Sequence, residues 1–236
     1  MTEGYKSPYA MMTEKVLSHL ESGNAPWAGK GAMTTIRPPI NFATSASFRG
    51  INAVMTMIST IENSFTTPAF ATFNQIRGVQ GKIVKGAKAS HVYYSSTYER
   101  DPRAGDRDLN ANGKVEQMFL KGFAVFNLDQ AVIERELKLP GVERTMDAGT
   151  AFERIAGGTK DLMAAELAMA LLSWRNGTAA SFRHQNKMSA WIDTLKKDDR
   201  AFYRAASKAQ RINDKLFGSA DDPGDSDEEG EGARAA

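Results

Sequence analysis

The sequence predicts an α+β protein: a small antiparallel sheet flanked by helices, then a helical block, then a disordered acidic tail. Three observations predict it. Strand-like runs at 82–84, 90–98 and 117–126 all fall before Asn127 in a chain of 236 residues. Apolar spacing turns helical after Asn127. Residues 219–236 carry almost no apolar side chains, too few to offset the entropy of ordering them. Strands gathered early and helices gathered late argue against a wound parallel sheet.

The elements follow in order. Ser7-Pro8 suits an N-cap and first helical position. Met12, Val16 and Leu20 then share one face with Leu17 beside them, and Gly23 ends the helix. Residues 24–49 are rich in Gly, Pro, Thr and Ser and read as a long loop. Gly50 begins a second helix, with Ile51, Val54, Met55 and Ile58 at helical spacing. Thr72 caps a short helix through Ile76 that stops near Gly78. The strands at 90–98 and 117–126 are expected to pair, joined by a mobile, charged, turn-rich loop over 99–114. Helices are expected at 148–156, 160–174, 184–195 and 200–217. Met163, Leu167, Ala170, Leu171 and Trp174 form one apolar stripe, and Trp191, Ile192 and Leu195 another. This divides the chain into a sheet-containing domain at 1–130, a linker at 131–147, a helical block at 148–218 and the tail at 219–236.

Composition narrows the function. No run of 18 apolar residues exists, so no membrane span or membrane partner is expected. Met1-Thr2-Glu3-Gly4-Tyr5 lacks a signal-peptide pattern. The absence of cysteine removes disulfides, thiolate metal sites and cysteine nucleophiles, and fits a reducing cytoplasm. The net charge of +2 hides an asymmetry. Seven acids and one base in 219–236 leave 29 bases against 21 acids elsewhere, so a body of about +8 carries a tail of about −6. A basic body favours a polyanionic partner.

Single-strand binders need cations to follow the phosphates and flat rings to stack on bases. The candidate cations are Lys30, Arg37, Arg49, Arg77, Lys82, Lys85, Lys88 and Lys121. The candidate rings are Trp27, Phe42, Phe48, Tyr93 and Tyr94. Gly81 and Gly86 bracket three of the lysines and would let the backbone approach a nucleic-acid strand. The ordinary alternative is that lysines protect a sheet edge. Strand alternation also sends one of Tyr93 and Tyr94 into the core if the other faces out.

Six short motifs in order point to one family. They are Pro26-Trp27, Pro39-Ile40-Asn41, Phe48-Arg49-Gly50-Ile51-Asn52, Thr72-Phe73-Asn74-Gln75, the run from Gly81 to Lys88, and the run from Val125 to Gln130. Together they resemble the N-terminal single-stranded-DNA-binding domain of the ArdC-type antirestriction proteins. The resemblance adds Asn41 and Asn52 to the expected DNA-binding residues. Phe48 departs from the family's usual tyrosine. Glu166-Leu167 and the helices through Trp191 and Ala205 to Gln210 resemble the closing helices of the family's peptidase domain.

Full-length relatives carry His-Glu-x-x-His between these blocks, two histidines one turn apart that hold zinc. Residues 131–160 contain no histidine, and His19, His91 and His184 have no partner four residues on. Glu166 matches a position near the family's third ligand, but one carboxylate does not hold zinc. No metal, no cofactor and no peptidase activity are therefore expected. Asp108 to Gly113 resembles the start of a calcium loop, but Phe119 stands where its bidentate glutamate belongs. Asp101, Asp106 and Asp108 are interleaved with arginines, a poor magnesium site.

The expected function is sequence-tolerant, non-catalytic binding of single-stranded DNA, in the phage or plasmid setting that the resemblance implies. Replication, recombination or antirestriction would all use it, and the tail would recruit proteins of those processes or of host defence. The alternatives are an inhibitor that binds a host defence enzyme directly, and a residual metal-dependent enzyme.

Overall fold

Helix α1 (Pro8–Glu21) begins where Ser7 places its hydroxyl to accept the Ala10 amide at 3.1 Å. Its Met12, Val16 and Leu20 are buried, as their spacing requires. The structure, a computed structural model, describes residues 6–28, 36–134 and 148–217. Lys30, the acidic tail and most of the expected linker lie outside the described residues.

Helix α2 (Gly50–Asn63) runs through the centre, with Ile51 and every position from Ala53 to Thr60 buried. Its buried threonines are satisfied internally: Thr56 donates to the Asn52 carbonyl at 2.7 Å and Thr60 to the Thr56 carbonyl at 2.8 Å. Four strands form a curled sheet in the order β1-β2-β5-β4. These are β1 (Ile40–Asn41), β2 (Ala69–Thr72), β4 (Ser90–Arg100) and β5 (Val115–Asn127). β1 joins parallel to β2, while β2, β5 and β4 pair antiparallel. A second sheet pairs β3 (Lys82–Ile83) with β6 (Ala131–Val132). Between them, α3 (Phe73–Gly78) follows β2 directly.

The strands β1, β2 and β6 were not expected. Two to four residues are too short to display an alternating pattern, and their pairing is decided by partners far along the chain. β4 and β5 reach further than expected and shorten the loop between them. Arg100 closes that loop by a forked contact to Asp106, at 2.8 and 3.0 Å.

The helical block comprises α4 (Ala148–Gly158), α5 (Leu162–Arg175), α6 (Met188–Lys197) and α7 (Ala201–Phe217). α5 is apolar on nearly every side rather than along one stripe, and it is buried accordingly. One hydrophobic core joins Met12 and Val16 of α1, Val54 and Ile58 of α2, Leu167 and Trp174 of α5, and Phe202 of α7. The late helices thus complete the core that the early ones begin. Arg49 pairs with Asp214 at 2.8 Å, and Gln210 accepts the Gly50 amide at 2.8 Å, tying the start of α2 to α7. A smaller core under α3 holds Ile40, Phe42, Ala69, Ala71, Ile76 and Leu128. No helix among the described residues is long and apolar enough to cross a membrane.

Candidate nucleic-acid interface

The basic surface is built around α3. Thr72 and Gln75 close a capping box: the Thr72 hydroxyl accepts the Gln75 amide at 3.3 Å, and the Gln75 side chain accepts the Thr72 amide at 2.8 Å. This cap fixes Phe73 in the first turn, exposed, with the Arg77 guanidinium 5.7 Å from its ring centre. Phe73, Arg77, Gln80 and Lys82 line an open groove of about 400 Å³ between α3 and β3.

Gly81 is packed rather than open. A Cβ there would lie 2.5 Å from Ile133 and 2.9 Å from Ile76, so glycine lets β3 close against α3 and offers no space to a nucleic-acid strand. Gly86 does have open surroundings, with φ at +86° in the turn between β3 and β4. The turn is pinned from both sides: the Val84 amide donates to the Gln130 carbonyl and the Gln130 side chain to the Lys88 carbonyl, each at 2.9 Å. Asn127 and Gln130 form a second capping box that sets up this contact. Arg77, Lys82, Lys85 and Lys88 are all exposed, and none forms an ion pair among the described residues.

Next to this surface β4 and β5 run on as a two-stranded ribbon. β2 ends at the Thr72–Val125 pair, and the rest of β5 pairs only with β4. Side chains alternate across the ribbon. One face carries the register pairs Val92–Phe123, Tyr94–Lys121, Ser96–Phe119 and Tyr98–Gln117, and all four rings are exposed. The Lys121 ammonium sits 5.2 Å from the Phe123 ring centre, and Tyr98 meets Phe119 edge-on at 5.9 Å. On the other face Tyr93 covers Gly122 and enters the main core. Burial pushes its phenol up to about 12. Asn52 clamps the outer edge of β4 there: its side-chain oxygen accepts the Tyr93 amide at 2.6 Å, and its amide donates to the Tyr93 carbonyl at 2.8 Å.

The structure therefore gathers Arg77, Lys82, Lys85 and Lys88 on consecutive elements, and puts Tyr94 and Lys121 on the ribbon face. Burial corrects three of the expected ring contacts, and other candidates have protein partners or are half-buried. Trp27 is fully buried among Phe182, Trp191 and Phe202, with ring centres 6.1–6.4 Å away. Phe42 is 6% exposed in the smaller core, and Tyr93 is 6% exposed in the main one. None of the three offers a face to a base. Asn52 is spent on the β4 edge and Arg49 on Asp214. Asn41 shapes its own turn by accepting the Ala43 and Thr44 amides at 2.8 and 3.3 Å. Arg37 and Phe48 are half-buried, Phe48 edge-on to Phe70 at 6.4 Å. The rings that sequence reasoning missed are Phe73, Tyr98, Phe119 and Phe123. Counting by twos from Tyr94 reaches Tyr98, and in β5 the same step from Lys121 reaches Phe119 and Phe123.

Glu166, the candidate nearest to a metal ligand, has protein partners in the described fold. Glu166 is buried in α5, and its Oε1 accepts the Arg183 and His184 amides at 2.9 Å and meets His184 Nδ1 at 2.6 Å. Oε1 thus ties α5 to the segment after it, while Oε2 is buried without a protein partner among the described residues. Among the described residues no three His, Cys, Asp or Glu side chains converge closely enough to bind a metal ion.

Residues 6–126 match the family model described as the N-terminal domain of anti-restriction factor ArdC. Two curated proteins are similar at low identity. DNA primase TraC of Escherichia coli is 26% identical over 235 residues, 94% of this chain but 19% of that protein. Protein y4eC of Sinorhizobium fredii is 25% identical over 129 residues, 52% of this chain and 41% of the other. The chain thus spans less than half of either curated relative. Among solved structures, the metal-free crystal structure of the antirestriction ArdC protein from the R388 plasmid superposes with a TM-score of 0.70. That match has 20% identity and covers 89% of this chain and 96% of the other. The Mn(II)-bound structure of the same protein gives 0.64 at 19% identity, covering 92% and 100%. At these identities the likeness speaks for the fold, and it extends through the late helices.

Proposed function

The chain belongs to the ArdC-type antirestriction family, and on that premise we propose that it binds single-stranded DNA without sequence preference and without catalysis. One observation carries the reading: Arg77, Lys82, Lys85 and Lys88 stand exposed and unpaired among the described residues, on a helix, a strand and a turn that follow one another, beside the exposed Phe73 ring. Unpaired cations on a braced surface are free to neutralise phosphates and release their counterions. The non-catalytic part of the reading rests on the sequence, in which none of His19, His91 and His184 has a histidine partner one helical turn away to hold zinc. Stoichiometric metal in the purified protein would count against that part. The biological role is the protection or organisation of exposed strands in replication, recombination or antirestriction, with the acidic tail as a recruiting segment for protein partners.

The test is a salt titration of oligo-dT binding with Lys82, Lys85 and Lys88 all changed to Ala. Removing one lysine–phosphate pairing from a single strand lowers the log–log salt slope by about 0.7, so the triple change is expected to lower it by about 2. An unaltered slope places the phosphate path elsewhere and overturns this assignment.

A further inference from the structure

Four large apolar rings on one face of a two-stranded ribbon are unusual for a water-exposed surface. Neither hydrophobic core calls for them. Tyr93, on the opposite face, already supplies the ribbon's anchor to the core. The exposed rings are interleaved with polar and cationic groups: Lys121 lies opposite Tyr94, Ser96 opposite Phe119 and Gln117 opposite Tyr98. A cation over a ring and a ring edge against a ring hold Phe123 and Phe119 in place before any ligand arrives.

From this geometry we infer that the β4–β5 ribbon is a base-stacking platform, on which Tyr94, Tyr98, Phe119 and Phe123 receive the unpaired bases of a strand whose phosphates follow the lysine turn. The inference rests on the single-strand-binding reading and supplies its selectivity. Successive rows on one face of a strand are about 6.8 Å apart. Bases stacked in a duplex are spaced about 3.4 Å along each strand. A base can meet each row only if the strand is stretched and unstacked, so a duplex cannot satisfy the platform. Every base has a π-face, so the platform reads no sequence. The lysine turn feeds the ribbon directly, because Lys88 stands two residues before Ser90, where β4 begins. Phe73 follows Thr72, whose partner Val125 lies two residues from Phe123 on β5. A second copy of this chain is the poorer occupant. It would bring Lys121 and a body of about +8 against their own charge.

The experiment compares oligo-dT with an abasic strand of equal length, which keeps the phosphates and lacks the bases. Wild-type protein is expected to bind oligo-dT at least tenfold more tightly than the abasic strand, since every stacked base adds to the affinity. Tyr94→Leu with Phe123→Leu keeps apolar bulk but removes two rings. This double variant is expected to close most of that gap and leave the salt slope unchanged, while Tyr94→Phe retains the gap. Equal wild-type affinity for the two strands overturns the platform and leaves phosphate-driven binding standing. Failure to bind either strand overturns both. A double variant that keeps the gap but changes the sedimenting mass marks the face as a self-contact and overturns the platform.

Discussion

Asn52 shows how a single side chain can look like a ligand contact and serve the fold. It lies beside an edge strand and offers that edge one acceptor and one donor, as a neighbouring strand would. Asn52→Ala removes both hydrogen bonds and leaves the Tyr93 backbone groups without partners. A destabilisation of about 1–3 kcal/mol is expected, read from the urea midpoint with an unchanged m-value. Asp106 provides a second check at this scale. The Arg100 side chain first, and the Arg103 amide second, hold its carboxyl down to about 2. A depressed carboxyl stabilises the folded loop above its ordinary value and loses that contribution as pH falls from about 4 towards 2. Carbon-detected NMR titration should place the Asp106 midpoint near the lower figure, and Arg100→Ala should raise it towards the ordinary range, with the Arg103 amide still holding it somewhat down. Residue roles were the least legible part of the sequence. Alternation says that one of Tyr93 and Tyr94 is inside, but only the packed helices decide which. Trp27 and Phe42 have the composition of stacking residues and the location of core residues, and nothing adjacent to them in the chain distinguishes the two.

Elements with their own punctuation were legible. Ser7-Pro8 marks α1 and Thr72 with Gln75 marks α3, because a cap is a local device, while α2 starts at Gly50 without a side-chain cap. β1 and β2 carry no such mark: they are short, and their partners lie up to roughly 60 residues away. In α3 element stability bears on the proposed site, since its cap sets the first turn that carries Phe73, with Arg77 over its ring. Thr72→Ala is expected to cost about 1 kcal/mol. It should also raise amide exchange in the α3 turn above that of α2, whose burial does not depend on the cap. Equal exchange in both helices would mean that the box does not hold α3.

At the scale of the molecule, the charge asymmetry and the segregation of strands before helices were legible from composition and order alone. The depth to which the late helices enter the early core was not. The division at residue 130 follows the chain, whereas the main core runs from Tyr9 to Ala209 and uses both sides of that division. The α7 contacts of Arg49 and Gly50 likewise tie the beginning of α2 to the end of the described chain. The α3–β3 surface rests on the smaller core and Tyr93 anchors the β4–β5 ribbon in the main one, while β5, paired with both β2 and β4, joins the two supports. The central claim is that this joint surface prefers an unpaired strand. The most direct measurement is fluorescence anisotropy of oligo-dT and of a duplex of equal length, each titrated at about 50 and about 200 mM salt. The expected result is tighter binding of oligo-dT at both salts, with affinity that weakens steeply as salt rises. Equal or tighter binding of the duplex, or oligo-dT binding indifferent to salt, would contradict it.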